Sequence, residues 1–193
     1  MNRISRAGRV RRAGGLALAL LFVPILAVAT VAASQGKASL ADARDATAEF
    51  HDFDAATAAG YTARVADLAG ITCIDSAAGA MGVHYLNPTL IPELFDPTAV
   101  PSLDATRPEL LVYEPVSNGK LRLVALEYLT LKARWDATHD APPSLFGHRF
   151  DTTLAGNRYG LPDFYSLHAW IWKNNPAGMF AMWNPDVSCA NAS

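Results

Sequence analysis

Three ionisable side chains stand inside apolar runs: His84 in "MGVHY", Glu127 in "LVALEYL" and His168 in "YSLHAWIW". Burying an unpaired carboxylate costs several kcal/mol, so Glu127 requires a partner, a shifted pKa or contact with solvent. Two imidazoles and one carboxylate make a sufficient protein ligand set for one divalent metal. Catalytic zinc and non-haem iron both use such a set with coordination positions left open, and copper also suits imidazole. His84, Glu127 and His168 are therefore candidate ligands of a single transition metal, zinc, iron or copper. Tyr85, Tyr128, Trp170 and Trp172 are candidate pocket walls, with Glu114 as an outer acidic group. His148, Asn157 and Tyr159 are candidates for a fourth ligand or an outer hydrogen-bond partner.

Two other readings of the same residues stand beside this one. Without metal, Glu127 and a histidine form a general acid/base pair in an apolar pocket. Ser166 shares a strand face with His168 but lies in no nucleophile motif, and the chain has no HExxH, GxSxG or P-loop pattern. Alternatively, each histidine is a packed core residue with its own hydrogen bond. The shared site draws its weight from three such residues occurring in one small domain. His51, among the acids of "EFHDFD", reads as a solvated helix residue. The tryptophans fit a sheet core as well as a ligand wall.

The elements that must position these groups are partly readable. Residues 39–60 predict a helix: Ser39 and Asp42 approach a capping box, Leu40, Ala43, Ala46, Phe50, Phe53 and Ala56 form one stripe, and Gly60 ends it. A second short helix is expected over 63–68. A short strand surrounds 81–85, after glycines that allow close backbone approach. "LIPELFDPTAVPSLDATRP" reads as a surface loop. "ELLVYEPVSNGKLRLVALEYLTL" reads as a hairpin about Asn118-Gly119, covered on both faces. A two-residue turn there sets Glu114 opposite Leu123, Val112 opposite Ala125 and Leu110 opposite Glu127. Residues 133–160 read as loop and 163–172 as a strand, with His168, Trp170 and Trp172 on one face. "MFAMWNP" is expected to return as a paired strand. The fold class that follows is α+β: an N-terminal helix, then a mostly antiparallel sheet with long loops.

Composition bounds the setting. The chain has 193 residues and a net charge of −2. Its first 14 residues carry five arginines and no acid, and an apolar run follows to Ala33. That pattern predicts a signal peptide over 1–33 and a single exported α+β domain over 34–193. An uncleaved anchor is the alternative, disfavoured by Pro24 and by the small residues Val31 and Ala33. Arg11-Arg12 also matches the core of a twin-arginine signal, which leaves two export routes open. Without the leader arginines, 11 basic residues face 18 acidic ones, a net charge of −7. An acidic domain argues against nucleic acid or an anionic membrane surface as partner. No later stretch is long and apolar enough to span a bilayer. Cys73 and Cys189 predict one disulfide in an oxidising compartment, with a pair of metal thiolates as the rival reading.

Several stretches together carry a resemblance: "ATAEFHDFDAATAAGYT", "GAMGVHYLN", "PELLVYEP", "LRLVALEYL" and "LHAWIWKNNPAGMFAMWNPDVSC". Over 46–189 the chain resembles an uncharacterised family of secreted bacterial single-domain proteins. The resemblance implies export and one domain, periplasmic or extracellular, and implies no reaction. Two functional expectations follow from the residues. The first is a metal-dependent oxidoreductase or hydrolase acting on a small apolar or aromatic molecule. The second is a non-enzymatic envelope or secreted protein that binds a small-molecule ligand or is purely structural.

Overall fold

The computed structural model describes residues 39–192; the expected leader, 1–33, lies outside them. In chain order the elements are α1 (Leu40–Thr47), a 3-10 turn (Ala48–His51), α2 (Phe53–Ala58), β1 (Ala63–Arg64), β2 (Cys73–Ser76) and β3 (Gly79–Leu86). Then come β4 (Leu110–Pro115), β5 (Leu121–Leu131), α3 (Lys132–Asp136), β6 (Ser144–Leu145), β7 (His148–Arg149), β8 (Asp151–Thr153) and β9 (Phe164–Ala169). One antiparallel sheet runs β1-β3-β4-β5-β9-β8, with β2 also paired to β3; β6 and β7 form a separate hairpin. The architecture is the α+β arrangement that the sequence pattern predicts.

The capping box forms: the Asp42 backbone N–H donates to the Ser39 hydroxyl, and Ser39 N–H donates to the Asp42 carboxylate. The helix does not run unbroken to residue 60. Asp52 is extended (φ −85°, ψ 113°) and its carboxylate accepts from Asp54 N–H, which starts α2 afresh. A short acidic side chain bonded to its own backbone competes with the helical ladder. Residues 63–68 are not helical either. Ala63 and Arg64 pair with Leu86 and Tyr85 at the sheet edge, and the Asp67 carboxylate closes the following turn by accepting from Ala69 and Ile71.

The central hairpin keeps the expected register at its far end and shifts near the turn. Leu110 opposes Glu127 and Val112 opposes Ala125, but Glu114 opposes Arg122 rather than Leu123. The loop has three residues, Ser117–Gly119, with Asn118 and Gly119 both at positive φ, closed by Val116 N–H to the Lys120 carbonyl at 2.8 Å. The odd residue is absorbed as a bulge at Val124. Its carbonyl accepts from the backbone N–H groups of Trp172 and Lys173, so the bulge anchors the chain leaving β9.

Both faces of the sheet are covered. α1 and α2 lie on one side, where Phe50, Tyr113, Leu126, Tyr128 and Leu167 share a core. On the other side Val112, Ala125, Trp170 and Val187 pack at one end, and Ile91, Leu110, Leu129 and Phe164 at the other. The proline-rich stretch expected at the surface supplies part of that cover. Proline opens each of two short 3-10 turns, Pro88–Leu90 and Pro92–Leu94, and Ile91 and Glu93 are buried. The fixed proline φ suits the first position of such a turn. "MFAMWNP" forms no strand. It makes a single bridge, Ala80 to Asn184, and the Asn184 side chain bonds backbone instead, accepting from Asp186 N–H and donating to the Asn174 carbonyl. Cys73 and Cys189 form the disulfide, across a sequence separation of 116. In the chain-entropy model a loop of that length contributes about 5 kcal/mol. Among the described residues no helix is long and apolar enough to cross a membrane.

Candidate metal centre

The site lies on the sheet face away from α1 and α2, between the two apolar clusters of that face. Glu127 on β5 and His168 on β9 are directly opposed across the strand pair. His84 comes from β3, one strand further, and reaches across β4, where its own partner is Val112. Gly82 makes the approach of β3 to β4 feasible. It has φ +107°, and a Cβ there would lie 2.5 Å from the Tyr113 carbonyl oxygen. Only glycine tolerates both conditions.

All three side chains are buried, at 3% (His84), 7% (Glu127) and 4% (His168) residual exposure. Their ligand atoms converge. The two imidazole Nε2 atoms are 3.4 Å apart. The carboxylate presents Oε2 to His84 Nε2 at 3.5 Å and Oε1 to His168 Nε2 at 3.8 Å. These contacts exceed the usual hydrogen-bond range of about 2.7–3.2 Å. They match another spacing: two ligands about 2.1 Å from a tetrahedral ion are about 3.4 Å apart. Among the described residues, these three form a buried group able to hold one metal ion.

The electrostatics point the same way. Burial lowers the His84 pKa to about 4, against the opposing pull of Glu127, with His168 adding to the fall. Burial also lowers His168 to about 4, opposed by Asp151 on β8. Both rings are thus held neutral, the form that ligates metal. Burial pushes the Glu127 pKa up; His84 and then the Ser166 hydroxyl act against it. A bound cation would oppose that shift and favour the anionic form. His84 Nδ1 has no hydrogen-bond partner of normal geometry, although the Gly82 backbone lies near enough to favour a proton on the ring. Coordination through Nε2 puts the ring proton on that Nδ1.

The other expected site residues are distributed differently. Tyr85 and Tyr128 are on the opposite face: Tyr85 packs edge-on against Phe53 and Tyr113, and the Tyr128 hydroxyl donates to the Ala105 carbonyl. Strand alternation requires this, since each adjoins a site residue in sequence. Trp172 also packs with the helices, donating Nε1–H to Thr47 Oγ1 beneath Arg44. β9 ends at Ala169, where Ile171 N–H turns back to the Ala169 carbonyl, so the alternation expected through 172 is lost. Glu114 is committed elsewhere, to Arg122 at 2.8 Å and Lys173 at 2.9 Å, and it accepts from Ser188 N–H. Trp170 alone of the expected walls is beside the site, its ring 6.2 Å from that of His168 and nearly parallel. His148 is exposed against Phe180, and the Asn157 amide holds the Leu154 and Leu161 carbonyls. His51 is an exposed residue beside Trp172, on the helix side as expected.

The wall that sequence reasoning missed belongs to a cavity of about 260 Å³ beside His84 and Glu127. Leu86, Leu94, Leu110, Leu129 and Phe164 line it, together with Tyr159, which was expected as a fourth ligand or outer partner, and Arg64 and Ala66 are its exposed members. The signal was present in the alternation: Leu86 and Leu129 stand two residues beyond His84 and Glu127, Phe164 four before His168, and Leu110 opposite Glu127. Comparison with protein families, with curated proteins and with solved structures finds no match, so the site's own geometry carries the functional reading.

Proposed function

We propose that this is an exported protein that binds one divalent transition metal through His84 Nε2, His168 Nε2 and the Glu127 carboxylate. The observation that carries this reading is the meeting of three buried donors, from three strands, at the spacing of ligands round one ion. The disulfide supports a non-reducing compartment. The two neutral imidazoles hold the ion and Glu127 offsets one of its charges. The cavity beside His84 and Glu127 leaves room for water or substrate at the open coordination positions. A two-histidine, one-carboxylate set with open positions serves hydrolysis with zinc and oxidation with iron, so metal identity selects between a hydrolase and an oxidoreductase.

Elemental analysis of protein purified from its native compartment should show about one zinc, iron or copper per chain. His84→Ala and His168→Ala should each lose that metal while keeping the wild-type circular dichroism spectrum. Retention of full metal content by both variants would place the ion elsewhere and end this reading.

A further inference from the structure

The cavity beside the three ligands has a composition that selects a ligand class. Its volume is about 260 Å³. A dry apolar cavity of about 150 Å³ accommodates benzene, and drug-sized ligands occupy roughly 300–1,000 Å³. The space therefore suits one ring with one or two small substituents. The walls are leucine, isoleucine and aromatic side chains, with Phe164 and Tyr159 offering ring surfaces. Polarity is confined to the His84–Glu127 end, to Tyr159, and to Arg64 at the exposed mouth. An ion pair ties the two segments beside it. Asp67, next to the lining residue Ala66, is tied to Arg158, next to the lining residue Tyr159, at 2.7 Å.

Charge supplies the remaining constraint, and it rests on the metal reading above. A divalent ion with two neutral imidazoles and one carboxylate leaves a buried net charge of +1. An uncompensated buried charge is costly, so the preferred further ligand is a monoanionic oxygen. An aliphatic alcohol satisfies the walls but its hydroxyl ionises far less readily than a phenol's, and a carboxylate brings a second charged oxygen into a pocket whose polarity is confined to one end. A phenol supplies both a flat apolar ring and an oxygen that ionises on coordination, as metal-bound water does.

We infer that the cavity takes a monocyclic phenol, with its ring against Leu129 and Phe164 and its oxygen directed to the metal between His84 and Glu127. The test uses the zinc-loaded protein, with p-cresol and its near-isostere p-xylene as probes, followed by isothermal titration calorimetry. Elemental analysis is made on the same samples. p-Cresol should bind at least tenfold more tightly than p-xylene. Leu129→Trp, which fills the cavity, and Ala66→Trp, at the exposed mouth, should each weaken p-cresol at least tenfold while one zinc per chain is retained. One zinc per chain with no p-cresol binding overturns the inference and leaves the metal reading intact. Unchanged p-cresol affinity in both tryptophan variants overturns it equally. If no zinc binds, the metal reading falls. The ligand assignment falls with it, since the phenol oxygen is directed to that metal.

Discussion

Replacing Glu127 by methionine should stabilise the metal-free protein and destroy its response to zinc. The Glu127 carboxyl is 7% exposed, and its contacts to the neutral imidazoles, at 3.5 and 3.8 Å, are too long to be good hydrogen bonds. Burial raises its pKa, with only His84 and Ser166 opposing the shift. Substituting an apolar residue of similar volume for a buried ionic group gains about 1–4 kcal/mol. In a domain of this size each kcal/mol moves Tm by roughly 2–4 °C, so Glu127→Met should melt roughly 2–16 °C above wild type in chelator. Zinc at about 1,000 times its Kd stabilises the wild type by about 4 kcal/mol, or roughly 8–16 °C, and leaves the variant unmoved. The order of the two proteins therefore inverts between chelator and zinc. Differential scanning calorimetry under both conditions reads this directly. A variant less stable than wild type in chelator would show Glu127 to be a satisfied structural residue. An equal zinc shift in both proteins would remove it from the ligand set.

Two further outcomes follow. His168 titrates near pH 4 in the fold and near 6.5 in the unfolded chain, so its burial as a neutral ring stabilises fully above about pH 6.5 and is lost as pH falls towards 4. In urea unfolding of metal-free protein, the advantage of wild type over His168→Asn should shrink by on the order of 3 kcal/mol across that window; a constant difference refutes the assignment. Gly82→Ala should cost on the order of 2–4 kcal/mol and weaken zinc at least tenfold, since its Cβ meets the Tyr113 carbonyl at 2.5 Å beside His84. Gly156→Ala, with positive φ but open space, serves as the control and should lose about 1 kcal/mol with unchanged zinc affinity.

The ligand set was legible because burying charge is expensive. An ionisable residue within an apolar strand announces either a partner or a fault, and three in one domain had to find one another. The hairpin and the disulfide were legible for similarly local reasons, Asn-Gly turn chemistry and a chain with two cysteines. The cavity wall was obscured by reading neighbours in sequence as neighbours in space. Tyr85 and Tyr128 adjoin ligands along the chain, and the strand period sends them to the other face. Trp172 was lost because a turn at Ile171 breaks the period, and nothing local to "HAWIWKNN" marks where β9 must stop. That stop is set by the Val124 bulge, a compensation for a three-residue hairpin loop some fifty positions earlier. Leu94 and Ile91 escaped notice because proline-rich sequence reads as exposed, whereas the site needs a cover and these turns provide it.

The measurement that bears most directly on the central claim is an anomalous difference map from crystals of the zinc-loaded protein, collected at the zinc edge. The account predicts one strong peak about 2.0–2.2 Å from His84 Nε2, His168 Nε2 and a Glu127 carboxylate oxygen. A peak at surface acids or histidines, with none between these three side chains, would contradict it.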